Sequence, residues 1–336
     1  MLSILGSTRS LLPPLLGVAL SLAFAACNDG ETPLAPGSDD AALDPASELA
    51  SALPTPGPTP QPSPQPGPSR IIFSSARLGS YDVFKMDQYG GNVVGLTKSA
   101  YAGEPAWSRD NKQIAMVRER YDANNKSHTD IWIMNADGSN GHWARSSPFP
   151  YNLRYPTWSP DGSRILLTIE QVGKPYLATL TLATGQVKFV TLGGTGIQAN
   201  YPTYNPSGNK ILFVAANGAS LQQINLDGTN RIKIASFGKI MACPKYSADG
   251  GRVAFQMLDG TNVDVYVWNI AQKTNSRLTT DPGYDGQPTW SPDGSRVAFM
   301  STRTGVAQIY TVGAVGGSQA RITKTNTSEM APAWSF

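Results

Sequence analysis

An eight-residue phrase that returns at regular intervals restricts the fold of this chain more than any other feature. The phrase Trp-Ser-Pro-Asp-Gly-Ser-Arg-Ile at 158–165 returns at 290–297 with Val in the last place, and weaker copies stand elsewhere. The aromatic residues that open the copies are Trp107, Trp158, Tyr204, Tyr246, Trp290 and Trp334. Their spacings of 51, 46, 42, 44 and 44 residues are typical of a repeat of four short strands that buries its apolar faces against neighbouring copies.

Each copy reads as four strands, which we name A to D in chain order. Strand A ends at the aromatic residue. Pro-Asp-Gly then supplies a tight turn, because Pro presets φ and Gly accepts a positive φ. Strands B and C show the pattern of β-structure, as in 296–301 and 264–269, and a turn such as Asp137-Gly138 leads to strand D. The 33 Gly and 26 Pro residues also favour turn-rich β-structure over helical bundles.

A proline stands two residues before each of the six aromatic residues. Proline cannot donate to a β-ladder, so it is confined to edge strands. We therefore expect strand A to form the edge of each sheet that lines a central channel. The aromatic ring that follows is expected to be buried between neighbouring repeats as part of the core.

The two ends of the repeat region complete one repeat. The region opens on a strand B at 70–74 and finishes on a strand A before Phe336. Pairing these ends inside one sheet removes the exposed edge that an open array would have to protect. The sequence predicts an all-β fold for residues 70–336: a six-bladed β-propeller of four-stranded antiparallel blades, with the first blade closed by the C-terminal strand.

The N-terminal segment has the form of a targeting signal. Residues 1–26 carry one charge, Arg9, and an apolar stretch from Leu15 to Ala26 that is too short to span a bilayer. The run Phe24-Ala25-Ala26-Cys27 resembles a bacterial lipobox, although Phe24 stands where Leu is usual. We expect a lipoprotein signal peptide over 1–26 and lipidation of Cys27; the alternative is an ordinary secretory cleavage after Ala25.

Residues 27–69 are predicted to be an acidic, Pro-rich linker without a fold of its own. They hold six carboxylates, no Lys or Arg, and 11 of the 26 prolines; eight of these prolines occupy every second position from Pro54 to Pro68. Such a segment favours polyproline II, an extended helix that rises about 3.1 Å per residue. We interpret it as a spacer between membrane and propeller, with a role as a groove-binding ligand as the alternative.

Charge and residue usage exclude several classes of function. From Arg70 onward there are 26 Lys and Arg against 18 Asp and Glu, but no run of basic residues, so we expect no nucleic-acid partner. Two Cys and two His exclude a disulfide framework and a Cys/His zinc site. We expect no metal and no cofactor, and Cys243 is interpreted as a small buried apolar residue.

The pattern Pro-x-Trp-Ser-Pro-Asp-Gly-x-Arg over residues 70–336 resembles the TolB-type, WD-like propeller repeat of bacterial envelope proteins. TolB also has an α/β domain before its propeller, where this chain has the Pro-rich linker, so the resemblance does not extend to the Tol-system role. It implies a six-bladed scaffold in the envelope that binds a protein or peptide, and the expected lipid on Cys27 would make this scaffold membrane-anchored. We expect an outer-membrane lipoprotein, facing the periplasm or the outside, that is a monomer.

The connections from strand D to the next strand A are the variable parts of the repeats. In propellers these connections converge with the B-to-C loops at the mouth of the channel, and loops of this kind carry function. The predicted ligand-binding residues are Tyr101, Glu104, Tyr151, Asn152, Arg154, Tyr155, Asn200, Tyr201, Tyr284, Asp285, Gln287 and Glu329. Tyr and Arg suit recognition; the alternative is that the tyrosines pack together and seal this end.

The enzyme alternatives have weaker support in the sequence. A prolyl-oligopeptidase-type protease needs a G-x-S-x-G elbow, which is missing from the chain. A metal-dependent lyase would use a histidine cluster, whereas His128 and His142 are expected at the solvated surface of one blade. Asp285 and Glu329 are the best carboxylates for acid/base chemistry or Ca²⁺. We predict a non-catalytic binding module, with a propeller enzyme or lectin that acts on envelope or extracellular polysaccharide as the alternative.

Overall fold

The computed structural model describes residues 69–98, 100–146 and 150–336. The predicted signal peptide and lipidation site, and the linker as far as residue 68, lie outside these residues. The described part of the chain consists of β-strands, turns and loops, with no α-helix. Within the same residues we find no helix with the length and apolar character that crossing a bilayer requires.

The strands form six four-stranded antiparallel sheets, which are the blades. Blade 1 has β1 (Arg70–Ser75), β2 (Asp82–Asp87), β3 (Val94–Gly95) and β26 (Glu329–Trp334). Blade 2 has β4 (Ala102–Trp107), β5 (Gln113–Tyr121), β6 (Ser127–Asn135) and β7 (His142–Trp143). Blade 3 has β8 (Asn152–Trp158), β9 (Arg164–Gln171), β10 (Lys174–Thr181) and β11 (Gln186–Phe189).

The remaining three blades repeat this arrangement. A two-stranded hairpin of β12 (Thr191–Leu192) and β13 (Thr195–Gly196) precedes blade 4. Blade 4 has β14 (Ala199–Tyr204), β15 (Lys210–Ala215), β16 (Ser220–Asn225) and β17 (Ile232–Ser236). Blade 5 has β18 (Met241–Tyr246), β19 (Arg252–Asp259), β20 (Asn262–Asn269) and β21 (Thr274–Arg277). Blade 6 has β22 (Asp285–Trp290), β23 (Arg296–Ser301), β24 (Gln308–Gly313) and β25 (Ala320–Arg321).

The blades close into a ring, as the sequence predicts. In blade 1 the C-terminal strand β26 pairs with β1, with Trp334 opposite Ile71. The A strands are β4, β8, β14, β18, β22 and β26; each contacts the next, and β26 contacts β4. This closed circuit of A strands surrounds the axis, so the prediction that strand A lines the channel is confirmed.

The core lies between the blades. There are six apolar clusters within the described residues, and each combines side chains of two adjacent blades. Trp290, which is 6% exposed, donates from Nε1 to the backbone oxygen of Lys245 in the preceding blade at 3.0 Å. Trp158 does the same to Ala106 at 3.1 Å. The aromatic residues of the repeat therefore connect neighbouring blades, in agreement with the prediction that they belong to the core.

The A-to-B turns explain the rest of the repeated phrase. In the turn of blade 6, Ser291 Oγ accepts from the backbone N–H of Arg296 at 2.9 Å and donates to Asp293 Oδ1 at 2.6 Å. Gly294 has a φ of 65°, a value at which any other residue is strained. Hydrogen bonds from serine lower the pKa of Asp293, and of Asp161 in blade 3, to about 2.

Strand A carries a bulge that the sequence analysis did not predict. Its pairing with strand B changes register in every blade, and the residue before the proline has a φ between 49° and 54°. These six residues, which we call the bulge ring, are Glu104, Tyr155, Tyr201, Cys243, Gln287 and Ala331. Proline disfavours the right-handed helical conformation in the residue before it, and a bulge reorients the side chain it carries. The bulges therefore place six side chains of varied chemistry at one level around the channel.

Candidate functional site

The antiparallel order of the blades gives the propeller two different ends. The A-to-B and C-to-D turns lie at one end, which we call the A–B end. The B-to-C loops and the D-to-A connections lie at the other, which we call the D–A end. The predicted site residues lie in the D-to-A connections or in the adjoining parts of strand A, so the topology brings them to the D–A end.

A cavity of about 420 Å³ opens at the D–A end. Its walls come from the B-to-C loops of blades 2 and 3 and from the connections into blades 3 and 4. Three predicted residues, Tyr151, Asn152 and Asn200, line it together. His128 and Glu170 also line it, and the sequence analysis did not select either as a ligand-binding residue.

Hydrogen bonds hold the cavity walls in place. Tyr151 Oη accepts from Gln171 Nε2 at 3.0 Å, which fixes the tyrosine ring against blade 3. Asn152 Oδ1 accepts from the backbone N–H of Thr129 at 3.0 Å, which connects blade 3 to blade 2. Burial raises the pKa of Glu170 at the end of β9. The cavity is thus a preformed pocket with one carboxyl group in its wall.

The two histidines differ in their surroundings. His128 is only 5% exposed, and its Nε2 lies 3.3 Å from Asp122 Oδ2, so the expectation of a solvated His128 is wrong. The loop of blade 2 folds over its ring and pairs it with that carboxylate. His142 is exposed, as expected. Among the described residues, no group of three His, Cys, Asp or Glu side chains is placed to hold a metal ion.

Glu104 and Arg154 form a buried ion pair between blades 2 and 3. Glu104 Oε1 accepts from Arg154 Nε at 2.9 Å, and Glu104 Oε2 accepts from the backbone N–H of Tyr155 at 2.6 Å. Burial alone lowers the pKa of Arg154, but the Glu104 carboxylate more than offsets it, and the net shift is upward. These two predicted site residues therefore join neighbouring blades, with Arg154 5% exposed.

Three of the predicted tyrosines pack near the channel axis. The rings of Tyr155 and Tyr201 lie 4.3 Å apart and are tilted by 45°, and burial raises the pKa of both. Tyr284 Oη accepts from Gln256 Nε2 at 2.6 Å. In contrast, Tyr101 is 52% exposed. The tyrosines of the D–A end thus divide into a packed group in the channel and a more accessible group around it.

Gln287 of the bulge ring connects neighbouring blades as well. Gln287 Oε1 accepts from the backbone N–H of Ala331 at 2.7 Å, a contact equivalent to that between Glu104 and Tyr155. The backbone N–H of Gln287 donates to Gln256 Oε1 at 2.8 Å. Cys243 is a free, half-buried cysteine, and burial raises the pKa of its thiol to about 12. The thiolate is the nucleophilic form of cysteine, and burial disfavours that form at Cys243.

Asp285 and Glu329 lie at the start of strand A in adjacent blades, and both are fully buried. Each is engaged by an arginine of its own blade: Arg303 Nη2 lies 2.7 Å from Asp285 Oδ2, and Arg77 Nη2 lies 2.9 Å from Glu329 Oε1. Burial raises the pKa of Asp285. These carboxylates fix strand A to the rest of its blade and present no exposed surface to a ligand.

Comparison with known proteins agrees with the fold and with its TolB-type repeat. Residues 218–336 match the TolB beta propeller domain family. Over 116 residues the chain is 28% identical to the protein TolB homolog of Chlorobium luteolum, covering 34% of this chain and 26% of that protein. It is 30% identical over 80 residues to the uncharacterized peptidase YuxL of Bacillus subtilis, covering 24% of this chain and 11% of that one.

Solved structures extend the likeness to most of the propeller. The crystal structure of TolB from Acinetobacter baumannii superposes with a TM-score of 0.68 at 22% identity, covering 80% of this chain and 68% of that chain. At this identity the match shows the fold. It confirms the β-propeller fold, and the family match identifies the TolB-type repeat in residues 218–336. The chain spans about a quarter or less of the length of the two curated relatives named above.

Proposed function

We propose that this protein is a membrane-anchored scaffold of the bacterial envelope whose propeller binds a protein or peptide at its D–A end. The observation that carries the proposal is the cavity in which Tyr151, Asn152 and Asn200 converge from the connections into blades 3 and 4. An aromatic ring beside amide groups provides contact area and hydrogen bonds at low entropic cost. A cavity of this kind accommodates one or two anchoring side chains of a partner.

The surroundings of the carboxylates support binding rather than catalysis. Asp285 and Glu329, the acid/base pair considered from the sequence, are buried and are both engaged by arginines. A general acid or base must reach the substrate proton within hydrogen-bond distance. Asp285 and Glu329 therefore do not support catalysis, and in the proposed function the partner is held at the D–A end without chemical change.

The proposed membrane anchor is a lipid on Cys27 after removal of residues 1–26. Its support is the run Phe24-Ala25-Ala26-Cys27 followed by a Pro-rich spacer, together with the TolB-type repeat. We place the lipid in the outer membrane and treat the protein as a monomer. Cys27→Ser should move the protein from the membrane fraction to the soluble fraction, measured by immunoblotting. A variant that stays in the membranes contradicts the lipid anchor.

Partner binding at the D–A end is tested by capture from intact, crosslinked envelopes. Tyr151→Ala should weaken capture by about tenfold, because aromatic anchors commonly contribute more than 1.4 kcal/mol. The matched control is Tyr89→Ala, the same change at a 73% exposed tyrosine in the C-to-D turn of blade 1. Equal capture by wild type and Tyr151→Ala, or loss of capture only in Tyr89→Ala, refutes the proposed surface.

A further inference from the structure

The cavity at the D–A end contains a carboxylate without a counter-charge. Glu170 lines the cavity from the end of β9 and is half-buried. Among the described residues, no Lys, Arg or His nitrogen lies within ion-pair distance of its carboxylate. Arg154 acts on Glu170 electrostatically, but its guanidinium is already bonded to Glu104. Two carboxylates thus share one guanidinium, and Glu170 has no cation of its own.

The Glu170 carboxylate receives a side-chain hydrogen bond from Asn152, whereas a second acceptor at the cavity has no donor. Asn200 lines the cavity from the start of β14, and within the described residues its buried Oδ1 has no hydrogen-bond partner. Glu170 and Asn200 come from different blades, yet both offer oxygen atoms. The occupant that satisfies both is one that brings N–H donors and a positive charge.

The rest of the cavity suits the stem of a long side chain. Pro150, Val172 and Pro175 supply apolar surface, against which methylene groups pack while a charged head reaches deeper. The basic side chains at the cavity do not pair with the Glu170 carboxylate. Lys126 is exposed at the rim, where solvent and salt screen its charge, and His128 is paired with Asp122.

We propose that this cavity is the receptor for a basic side chain of the partner, a lysine or an arginine, whose cationic head lies between Glu170 and Asn200. The inference rests on the proposed function and specifies the chemistry that the D–A end recognises. The stem of the basic residue lies along Pro150, Val172 and Pro175. The ring of Tyr151 provides a further favourable surface for a cation.

The test measures binding of four fluorescein-labelled pentapeptides, Gly-Gly-X-Gly-Gly, to the purified propeller at low salt by fluorescence anisotropy. X is lysine, arginine, norleucine or glutamate. The lysine or arginine peptide should bind about tenfold more tightly than the norleucine peptide, and the glutamate peptide should bind most weakly. The preferred basic residue distinguishes an ammonium from a guanidinium. Norleucine binding as tightly as lysine and arginine overturns the proposal.

Variants of the cavity make the test independent of any folding defect. Glu170→Gln keeps the shape and removes the charge, so the advantage of the basic peptide over norleucine should disappear. Asn200→Asp adds a carboxylate and should strengthen basic-peptide binding severalfold, and Lys126→Gln should strengthen it slightly. An unchanged preference in both Glu170→Gln and Asn200→Asp refutes the assignment.

The outcome is separable from that of the proposed function. If Tyr151→Ala abolishes partner capture while Glu170→Gln leaves the peptide preference intact, the proposed binding surface at the D–A end is supported and the basic-residue receptor is refuted. If the basic peptides bind through Glu170 while Tyr151→Ala captures its partner normally, the cavity binds basic side chains, but the captured partner does not bind through it and the proposed function is refuted.

Discussion

Glu104 is the residue whose removal should most weaken the contact between blades 2 and 3. Glu104→Ala leaves the guanidinium of Arg154 without its main counter-charge and the backbone N–H of Tyr155 without its acceptor. Arg154 is 5% exposed, so water replaces the lost carboxylate poorly. Removing one partner of a buried pair costs about 3–5 kcal/mol, and an orphaned N–H costs about 1–3 kcal/mol. Because Glu170 remains near Arg154, we expect a total of about 3–5 kcal/mol.

The assay is urea denaturation of the purified propeller, followed by tryptophan fluorescence and circular dichroism together. Glu104→Ala should lower the transition midpoint without changing its slope. Glu104→Gln is the matched control, since Gln287 accepts the equivalent N–H of Ala331 at 2.7 Å with an amide oxygen. Its loss of stability should therefore be about 1–3 kcal/mol smaller than that of the alanine variant. A loss below about 1 kcal/mol in Glu104→Ala would show that the pair does not stabilise the ring.

Three further predictions concern the fold. Trp290→Phe removes the donor to the backbone oxygen of Lys245 and should lower the free energy of unfolding by at least about 1 kcal/mol; an unchanged urea midpoint contradicts this. The pKa of Asp161 and of Asp293 is about 2 in the folded protein, below the unfolded value of about 3.9. The stabilisation of the folded protein by these two carboxylates is thus present above about pH 4 and is lost as pH falls towards 2. Replacing both with Asn should make Tm fall less steeply over this pH interval. Deletion of 332–336 exposes the edge of β1 and should give a large loss of stability or aggregation by size-exclusion chromatography; unchanged melting contradicts the closure.

The blades were predictable because the same physical requirements recur in every copy. In each copy the residue type itself indicates the structural position: proline indicates an edge strand, the aromatic residue indicates the contact between blades, and Gly indicates a positive φ. The bulge ring had a signal that was not recognised, since each of its members directly precedes a proline of strand A. Positive φ at Glu104 or Tyr155 has no signal in the residue itself, because the surrounding sheet imposes it.

The candidate site was only partly predictable. The D-to-A connections were identified as the source of site residues, and Tyr151, Asn152 and Asn200 do line one cavity. Glu170 was missed because it belongs to a strand B. Its role depends on which charges lie near it in space, and the spacing of residues along one chain does not reveal this. For the same reason, the burial of Tyr155 and Tyr201 against each other was left open by the sequence.

The central claim, that the D–A end is the binding surface, is tested most directly by position-specific photo-crosslinking in living cells. A photoreactive phenylalanine analogue replaces Tyr101 or Tyr151 at the D–A end, or Tyr89 at the A–B end. We predict a common crosslinked partner from Tyr101 and Tyr151, absent from Tyr89, and reduced in cells that carry Glu170→Gln as well. A partner crosslinked from Tyr89 and not from the other two positions would contradict the claim.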